Sequence, residues 1–539
     1  MDIAVDSTTI KERSDDNAEL HRTLTWVDAF WLSSGVPAYV LFTIGAVAAT
    51  VGNLSWVVWI ASISIGFIQC FTYAEIAALF PHKSGGASVY GAMAWVRYGK
   101  MLAPISVWCN WLAWSPVLAL GTSLGAGYML SVLFPADSVV NTWQMTLVDL
   151  TWLRKDLTIR LNVTAIIGAL LMLGVFAVQH RGILQAARLQ MIFAISSLVP
   201  LLAVGVIPII TGDLPQANFL PLVPLVKDAS GQLVQGEWNM VGFTTLMAGM
   251  FLCGYSTYGF ETAVCYTREF RDPSRDTFRA IFSSGLLCLA VITLVPVAFQ
   301  GVLGLSGLLA PDIYSGMGVG RAMAAMVGAT GMLANLIVIA LILTILLSIM
   351  TAMAGSSRTL YQGSVDGWLP RYLSHVNEHG APTRAMWTDL VFNLLLLLMS
   401  DNVFVLAASN VCYITFIFMN LNAGWIHRMD RPNQARPFRA PTWLLITGAL
   451  LGYLNLVFLG FGADSYGAGT LFTGFAAAAM IIPVFLWRHY VTDKGVFPPT
   501  MQADLQLEGG KTRAGALPYL ALVAAVLLIA VCYTLSQPA

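Results

Sequence analysis

Stretches of about twenty apolar residues, the length that crosses the hydrocarbon core of a bilayer as an α-helix, recur along this chain and restrict its fold more than any other feature. They fall near 24–50, 54–80, 101–133, 158–178, 183–211, 240–267, 279–307, 322–357, 384–400, 403–427, 441–463, 468–488 and 515–535. Lipid offers no partner for a backbone amide or carbonyl, so each run must pair its own polar groups and be helical. The expected class is an all-α polytopic membrane protein with about 12–13 transmembrane helices. Composition agrees: 57% of the 539 residues are hydrophobic and 10% charged, against about 25% charged in soluble domains. A formal net charge of zero excludes a basic nucleic-acid binder. The seven cysteines, at 70, 109, 253, 265, 288, 412 and 532, lie inside apolar runs and read as buried thiols. No disulfide framework, metal site or cofactor is implied.

Direction follows from charge. The first 22 residues are polar and lack the apolar core of a signal peptide, which places the N-terminus in the cytosol. With that start, 23 of the 28 Lys and Arg fall on the cytosolic side, and only 154, 155, 160, 227 and 321 fall outside. Runs 101–133 and 322–357 are longer than one crossing needs and require tilt or extension beyond the bilayer.

Two of the runs interrupt themselves. "WLSSGVPAYV", 31–40, puts Gly35 and Pro37 in the middle of the first, and "CGYSTYGFET", 253–262, puts Gly254, Ser256, Thr257, Gly259 and Glu261 in the middle of the sixth. Glycine favours unwinding and proline removes a donor, so a continuous helix is not favoured at either place. The sixth run comes five crossings after the first, an odd number, so the second broken helix enters from the opposite side. That is the pattern of secondary transporters, whose discontinuous helices meet at the bilayer midplane. Amides at Ser34, Gly35 and Val36 then suit a carboxylate, with Pro37 opening the half-helix. Carbonyls around Ala29 to Leu32 and at Thr257 and Tyr258 suit an ammonium group. A carboxylate site beside an ammonium site describes an amino acid. The opposing reading is that the glycines only permit close helix packing.

The layout expected on this pattern is a cytosolic tail, 1–22; a transporter core of 12 helices, 23–488, with inverted repeats at about 24–211 and 240–427; a cytosolic linker, 489–514; and an extra C-terminal helix, 515–539. The location expected is the cell (inner) membrane.

Five segments in order resemble the amino acid-polyamine-organocation superfamily of permeases. They are "SSGVP" at 33–37, where that family usually has G-S-G-I-F; "YAEIAALFPHKSGGASVYGA" at 73–92; "YGFETAVCYTREFRDPSRDTFRAI" at 258–281; "SSRTLYQGSVDGWLP" at 356–370; and "RPFRAP" at 436–441. The resemblance implies a five-plus-five inverted-repeat fold with discontinuous helices 1 and 6. It also implies a secondary transporter moving amino acids by alternating access, with spans 1, 2, 6 and 7 rocking against 3, 4, 8 and 9. Arg268 stands where many members have the first of two glutamates, and Ser197 where proton-coupled bacterial members carry a lysine. Members linked to a heavy chain use a cysteine after the third span; 134–157 has none, so no disulfide-linked partner is expected.

The expected substrate-binding residues are Ser33, Ser34, Gly35, Val36, Tyr255, Thr257, Tyr258 and Glu261. Glu261, costing about 2.5 kcal/mol or more if it faced lipid, must face protein or water. It can bind a cationic substrate, carry a proton, or accept hydrogen bonds from the unwound segment. Tyr255 resembles in position the aromatic that lids the substrate in arginine-agmatine antiporters. Ser348 resembles the eighth-span serine of sodium-coupled relatives; Ser197, Ser348 and Glu261 are the coupling-site candidates. Glu75, Arg97, Arg275 and Arg358 are the inner-gate candidates, read as one ion-pair network. "HVNEH", 375–379, has two histidines at a zinc-like spacing but no third ligand nearby, and reads as a solvated loop.

An amine or polyamine carrier or exchanger fits with Glu261 as countercharge, and a nutrient sensor that does not transport fits less well because no signalling-sized tail is present. No paired carboxylates or nucleophile–base pair points to an enzyme. The partners expected are a small-molecule substrate, the bilayer, and a proton or counter-substrate.

Overall fold

The structure, a computed structural model, describes residues 20–135, 137–152, 157–228, 232–314, 316, 318–506 and 512–537. Most of the expected tail and the outward charges at 154 and 155 lie outside the described residues, as does the Lys227 side chain.

The first apolar run opens on Thr25, whose hydroxyl accepts from the Asp28 amide while the Asp28 carboxylate accepts from the Thr25 amide at 2.8 Å. This reciprocal cap starts α1 (Trp26–Ser33). A 3₁₀ turn, Val36–Tyr39, leads into α2 (Val40–Val51). Gly52, at φ +66°, then turns the chain in a conformation that glycine adopts freely, and α3 (Ser55–Ala78) returns. The unbroken apolar stretch Trp26–Ala78 thus holds two crossings.

A half-length helix α4 (Ala87–Trp95) precedes the third crossing. That crossing is split into α5 (Leu102–Trp114) and α6 (Val117–Leu133) at Ser115-Pro116. The excess length of 101–133 is therefore taken up by a proline kink. The strands β1 (Gln144–Asp149) and β2 (Thr158–Asn162) form an antiparallel hairpin, followed by α7 (Val163–His180) and α8 (Ile183–Thr211). A second hairpin, β3 (Leu225–Lys227) with β4 (Leu233–Gln235), leads to α9 (Met240–Thr257). These two hairpins are the β-structure that an all-α reading omits.

An 11-residue 3₁₀ segment, Gly259–Glu269, continues from α9, and α10 (Pro273–Leu308) carries the seventh crossing. The eighth differs from the run expected at 322–357. Residues 319–326 form a separate helix α11 (Val319–Met326), Gly328 and Gly331 turn at positive φ, and the crossing helix is α12 (Gly331–Val365). Hydropathy alone joined the two because no charged residue lies between them. The remaining crossings are α13 (Thr383–Leu396), α14 (Asn402–Asp430) and α15 (Thr442–Gly462). They are followed by the stretch Thr470–Thr492, containing α16 (Thr470–Ala479) and α17 (Ile481–Leu486). Among the described residues, 11 helical stretches are long and apolar enough to cross a membrane, the first of them double; α13, with 14 residues, is too short to count.

Between Asp493 and Gln506 the chain is packed. Helix α18 (Pro499–Gln506) buries Met501 completely, and Asp504 bonds Lys83 at 2.9 Å and His82 at 2.9 Å. Lys83, itself buried, also meets Asp366 at 2.6 Å. The last helix, α19 (Leu517–Ser536), lies against α15 and turns leucines and valines outward, as a lipid-facing helix does.

Candidate functional site

Both interruptions appear as changes of helix type. Ser34 and Gly35 keep right-handed dihedrals, and the Ser34 amide and hydroxyl both donate to the Trp31 carbonyl, at 3.2 and 2.6 Å. Ser33 Oγ donates to the Ala29 carbonyl and meets Ser284 Oγ at 2.6 Å, joining the first crossing to the seventh. The Leu32 carbonyl accepts from Thr351 Oγ1 at 2.7 Å. Gln190, its amide turned to suit its neighbours, donates to the Trp31 and Leu32 carbonyls at 3.2 and 3.0 Å. The carbonyls of Ala29, Trp31 and Leu32 thus have protein donors, and so does the Ser34 amide's own hydrogen have an acceptor.

Glycine lets these segments touch. A Cβ at Gly35 would stand 2.5 Å from the Leu347 carbonyl oxygen on α12. One at Gly259 would stand 3.1 Å from the side chains of both Val36 and Tyr39, so the two interruptions cross there. Ser256 Oγ donates to the Tyr39 carbonyl at 3.1 Å and pairs with Thr43 at 2.7 Å; Thr257 pairs with Ser62 at 2.8 Å.

Beside this crossing is a narrow slot, with about 10 Å³ open to a water-sized molecule, lined by Tyr39, Ala113, Trp114, Val117, Tyr255, Gly259 and Tyr413. Tyr255 donates to the Ala113 carbonyl at 3.0 Å, and its ring meets Tyr413 edge-on at 6.0 Å. Glu261 is 2% exposed, buried against the Tyr413 hydroxyl and the Trp114 indole, the two donors that reach its carboxylate. The hydroxyls of Tyr39 and Tyr266 are buried with no hydrogen-bond partner among the described residues. Buried polar atoms are nearly always paired, so the unpaired Tyr39 hydroxyl on the slot wall is an exception.

The other expected residues disperse. Ser197 is buried on α8 with its hydroxyl unpaired, while Ser348 bonds the Ile345 carbonyl of its own helix. The four inner-gate charges do not form one network. Glu75 accepts from Arg428 at 2.6 and 2.8 Å and from Arg436 at 3.3 Å. Arg97 lies near Asp430, and Arg275 is in the first turn of α10, its amide donating to the Asp272 carbonyl at 3.3 Å. Arg358 holds Glu269 through two bonds of 2.5 and 2.9 Å, tying the 3₁₀ half of the sixth crossing to α12. His375 and His379 lie in a loop between Ser374 and Thr383.

Sequence reasoning missed Tyr39, Trp114 and Tyr413 as slot walls, Gln190 and Thr351 at the first break, and Glu269 at the gate. Glu269 follows Arg268 directly, in the motif that resembled a glutamate pair, so that signal was present. Nothing local marks Trp114 or Tyr413, since each is an ordinary aromatic in an apolar run.

Two membrane-length helices that change type mid-run and cross beside a narrow slot, with the buried Glu261 carboxylate set against two of its walls, suit a carrier of small molecules. Residues 24–487 match the amino acid permease family, to which the chain belongs. It is an integral membrane transporter. It is similar to the branched-chain amino acid permease BcaP of Lactococcus lactis subsp. cremoris, with 21% identity over 417 residues covering 75% of this chain and 81% of that one. It is also similar to the uncharacterized transporter lpg1691 of Legionella pneumophila, with 22% identity over 401 residues covering 70% and 75%.

Proposed function

We propose that the chain carries an amino acid across the cell (inner) membrane by alternating access, with its N-terminus in the cytosol and its core, 23–488, built from inverted repeats at about 24–211 and 240–427. The observation that supports this most is the buried carboxylate of Glu261 set against Trp114 and Tyr413, two walls of the slot beside the crossing of the interrupted segments. In this reading Glu261 and the rings of Tyr39, Trp114 and Tyr413 receive the substrate ammonium. The carboxylate is received at Ser33 to Val36 after the Ser34 amide leaves the Trp31 carbonyl. Tyr255, Thr257 and Tyr258 complete the wall. Loading of Glu261 by a proton or by the substrate's charge is the coupling step, with Ser197 and Ser348 as the further candidates on α8 and α12, two helices that pack on each other. A permease needs no bond-making chemistry from these groups, and none is proposed. The branched-chain specificity named for one relative makes leucine the first substrate to try.

A second reading, an amine carrier, is favoured by one contrast: Glu261 meets the neutral donors Tyr413 and Trp114 but no cation among the described residues, whereas the Ser34 amide is already bonded. Uptake of labelled leucine or labelled putrescine into proteoliposomes, each challenged by unlabelled amino acids and amines, separates the two. Uptake of leucine blocked by branched-chain amino acids and not by their decarboxylated amines supports the first reading. Equal competition by an amino acid and its amine discards it. Uptake of neither probe, with no competitor bound, removes both.

A further inference from the structure

Asp389 is a carboxylate at mid-helix in α13 that the transport reading does not use. Its side chain is fully buried, and three neutral donors converge on it. Trp111 Nε1 at 2.9 Å and Ser115 Oγ at 2.5 Å reach one oxygen, and Ser356 Oγ at 2.6 Å reaches the other. One turn further on, Asn393 donates to Ser115 Oγ at 2.7 Å, and its carbonyl oxygen accepts from the Ala119 amide at 3.3 Å. All of these partners but Ser356 flank the Ser115-Pro116 kink of the third crossing.

The kink has a second face. Pro116 has no amide hydrogen, so the Leu112 carbonyl loses its helical donor. That carbonyl accepts instead from Ser409 at 2.7 Å, and the Ala113 carbonyl accepts from Tyr255 at 3.0 Å. Residues 113, 114 and 117, which line the slot, are therefore held between Tyr255 and Ser409 on one side and Asp389 and Asn393 on the other. A buried carboxylate with its donors removed, or donors with their carboxylate removed, is costly in such a place. Both faces of the clamp must be satisfied for the kink to keep one geometry.

We propose that Asp389 is a positioning residue of the substrate slot: through Trp111 and Ser115 it sets the kink at Pro116, and so the place of Trp114 and of the Ala113 carbonyl. It touches neither the slot nor its contents. The proposal rests on the slot being the substrate site.

The test is a KM-against-turnover comparison in proteoliposomes, with leucine and putrescine as labelled probes and the one that the parent accumulates used throughout, normalised to inserted protein. Asp389→Ala is expected to raise KM about tenfold, with turnover at saturation within twofold, and to broaden the set of competing analogues. Asp389→Asn is expected to restore KM, because its oxygen accepts from Trp111 and Ser115 and its amide donates to Ser356. A parental KM in Asp389→Ala, or failure of Asp389→Asn to restore it, overturns the proposal whatever the yield of protein. If Asp389→Ala does not insert, Ser115→Ala and Ser356→Ala stand in: KM should rise in the first and not in the second, and a parental KM in both is again a refutation. Trp114→Phe and Glu261→Gln keep the two readings apart. If they too leave KM unchanged, the slot is not the site; if they change it and Asp389→Ala does not, the slot stands and Asp389 plays no part in it.

Discussion

Replacing Glu269 by glutamine removes the charge that ties the second half of the sixth crossing to the eighth. Arg358 reaches Glu269 through Nε at 2.5 Å and Nη2 at 2.9 Å, and the two side chains are 3% and 0% exposed. Deleting one charge of a buried pair costs about 3–5 kcal/mol, because the other charge stays behind uncompensated. Two features hold the figure to the low end. Arg358 keeps its bond to the Ala354 carbonyl at 3.0 Å and its place 5.3 Å from the Tyr266 ring centre, and glutamine still offers one acceptor oxygen. If the arginine regains water when this side of the carrier opens, about 3 kcal/mol is lost from the closed form alone, a shift of about a hundredfold toward the open one. Cys265 reports it. It is 4% exposed on the same 3₁₀ segment, close against Gly86, and the other six cysteines are buried elsewhere and serve as internal controls. The assay is the rate of N-ethylmaleimide modification, resolved by peptide mass, well below the unfolding temperature. Cys265 should react at least tenfold faster in Glu269→Gln while the others do not change. A Cys265 rate within twofold of the parent's refutes the gate reasoning, and acceleration of all seven together would mean general loosening instead.

Gly35→Val should abolish substrate binding while the protein still inserts, since a Cβ there stands 2.5 Å from a backbone oxygen and overpacking costs about 1–3 kcal/mol. Gly174→Val, where nothing lies within 4 Å, is the neutral control, and ligand-induced thermal shift is the measurement; parental binding in Gly35→Val rejects the close-approach argument. Glu261→Gln should lose whatever pH dependence uptake shows in the parent, because its carboxylate is the one set against the slot walls Trp114 and Tyr413; an unchanged pH profile assigns Glu261 a structural role. On the α18 side, burial acts to lower the Lys83 pKa, but Asp366 and Asp504 outweigh it and raise it; burial acts to raise Asp504, and His82 and Lys83 outweigh that and lower it. The raised lysine stabilises fully below its unfolded pKa of about 10.4, losing this as pH climbs through the folded value, and the lowered aspartate stabilises above about 3.9, losing this as pH falls through its folded value. Protease cleavage within 493–506 should therefore stay slow and flat from about pH 5 to 9 and speed up in Lys83→Met, which leaves Asp366 buried without its cation; equal rates in the two proteins would show that this contact does not hold the segment.

The sequence by itself determined the class of protein, the alternation of apolar runs and the places where the first and sixth are interrupted. Each of these is a local property. A run of about twenty apolar residues crosses a bilayer whatever its neighbours do, and Gly35, Pro37 and Gly259 perturb a helix through their own backbones. Local patterns gave out where apolar residues continue across a turn, as at Gly328 and Gly331, and where proline bends a run without stopping it, as at Pro116. What only the tertiary structure decided is which side chains meet. Tyr39, Trp114, Tyr255 and Tyr413 come from four different crossings to wall one slot, and no periodicity separates them from aromatics packed against lipid. The charges show the same division: Glu75 and Arg358 are recognisable as buried ions from their positions in apolar runs, but their partners Arg428 and Glu269 lie 353 and 89 residues away. A buried charge requires a partner; only the packing of helices chooses it.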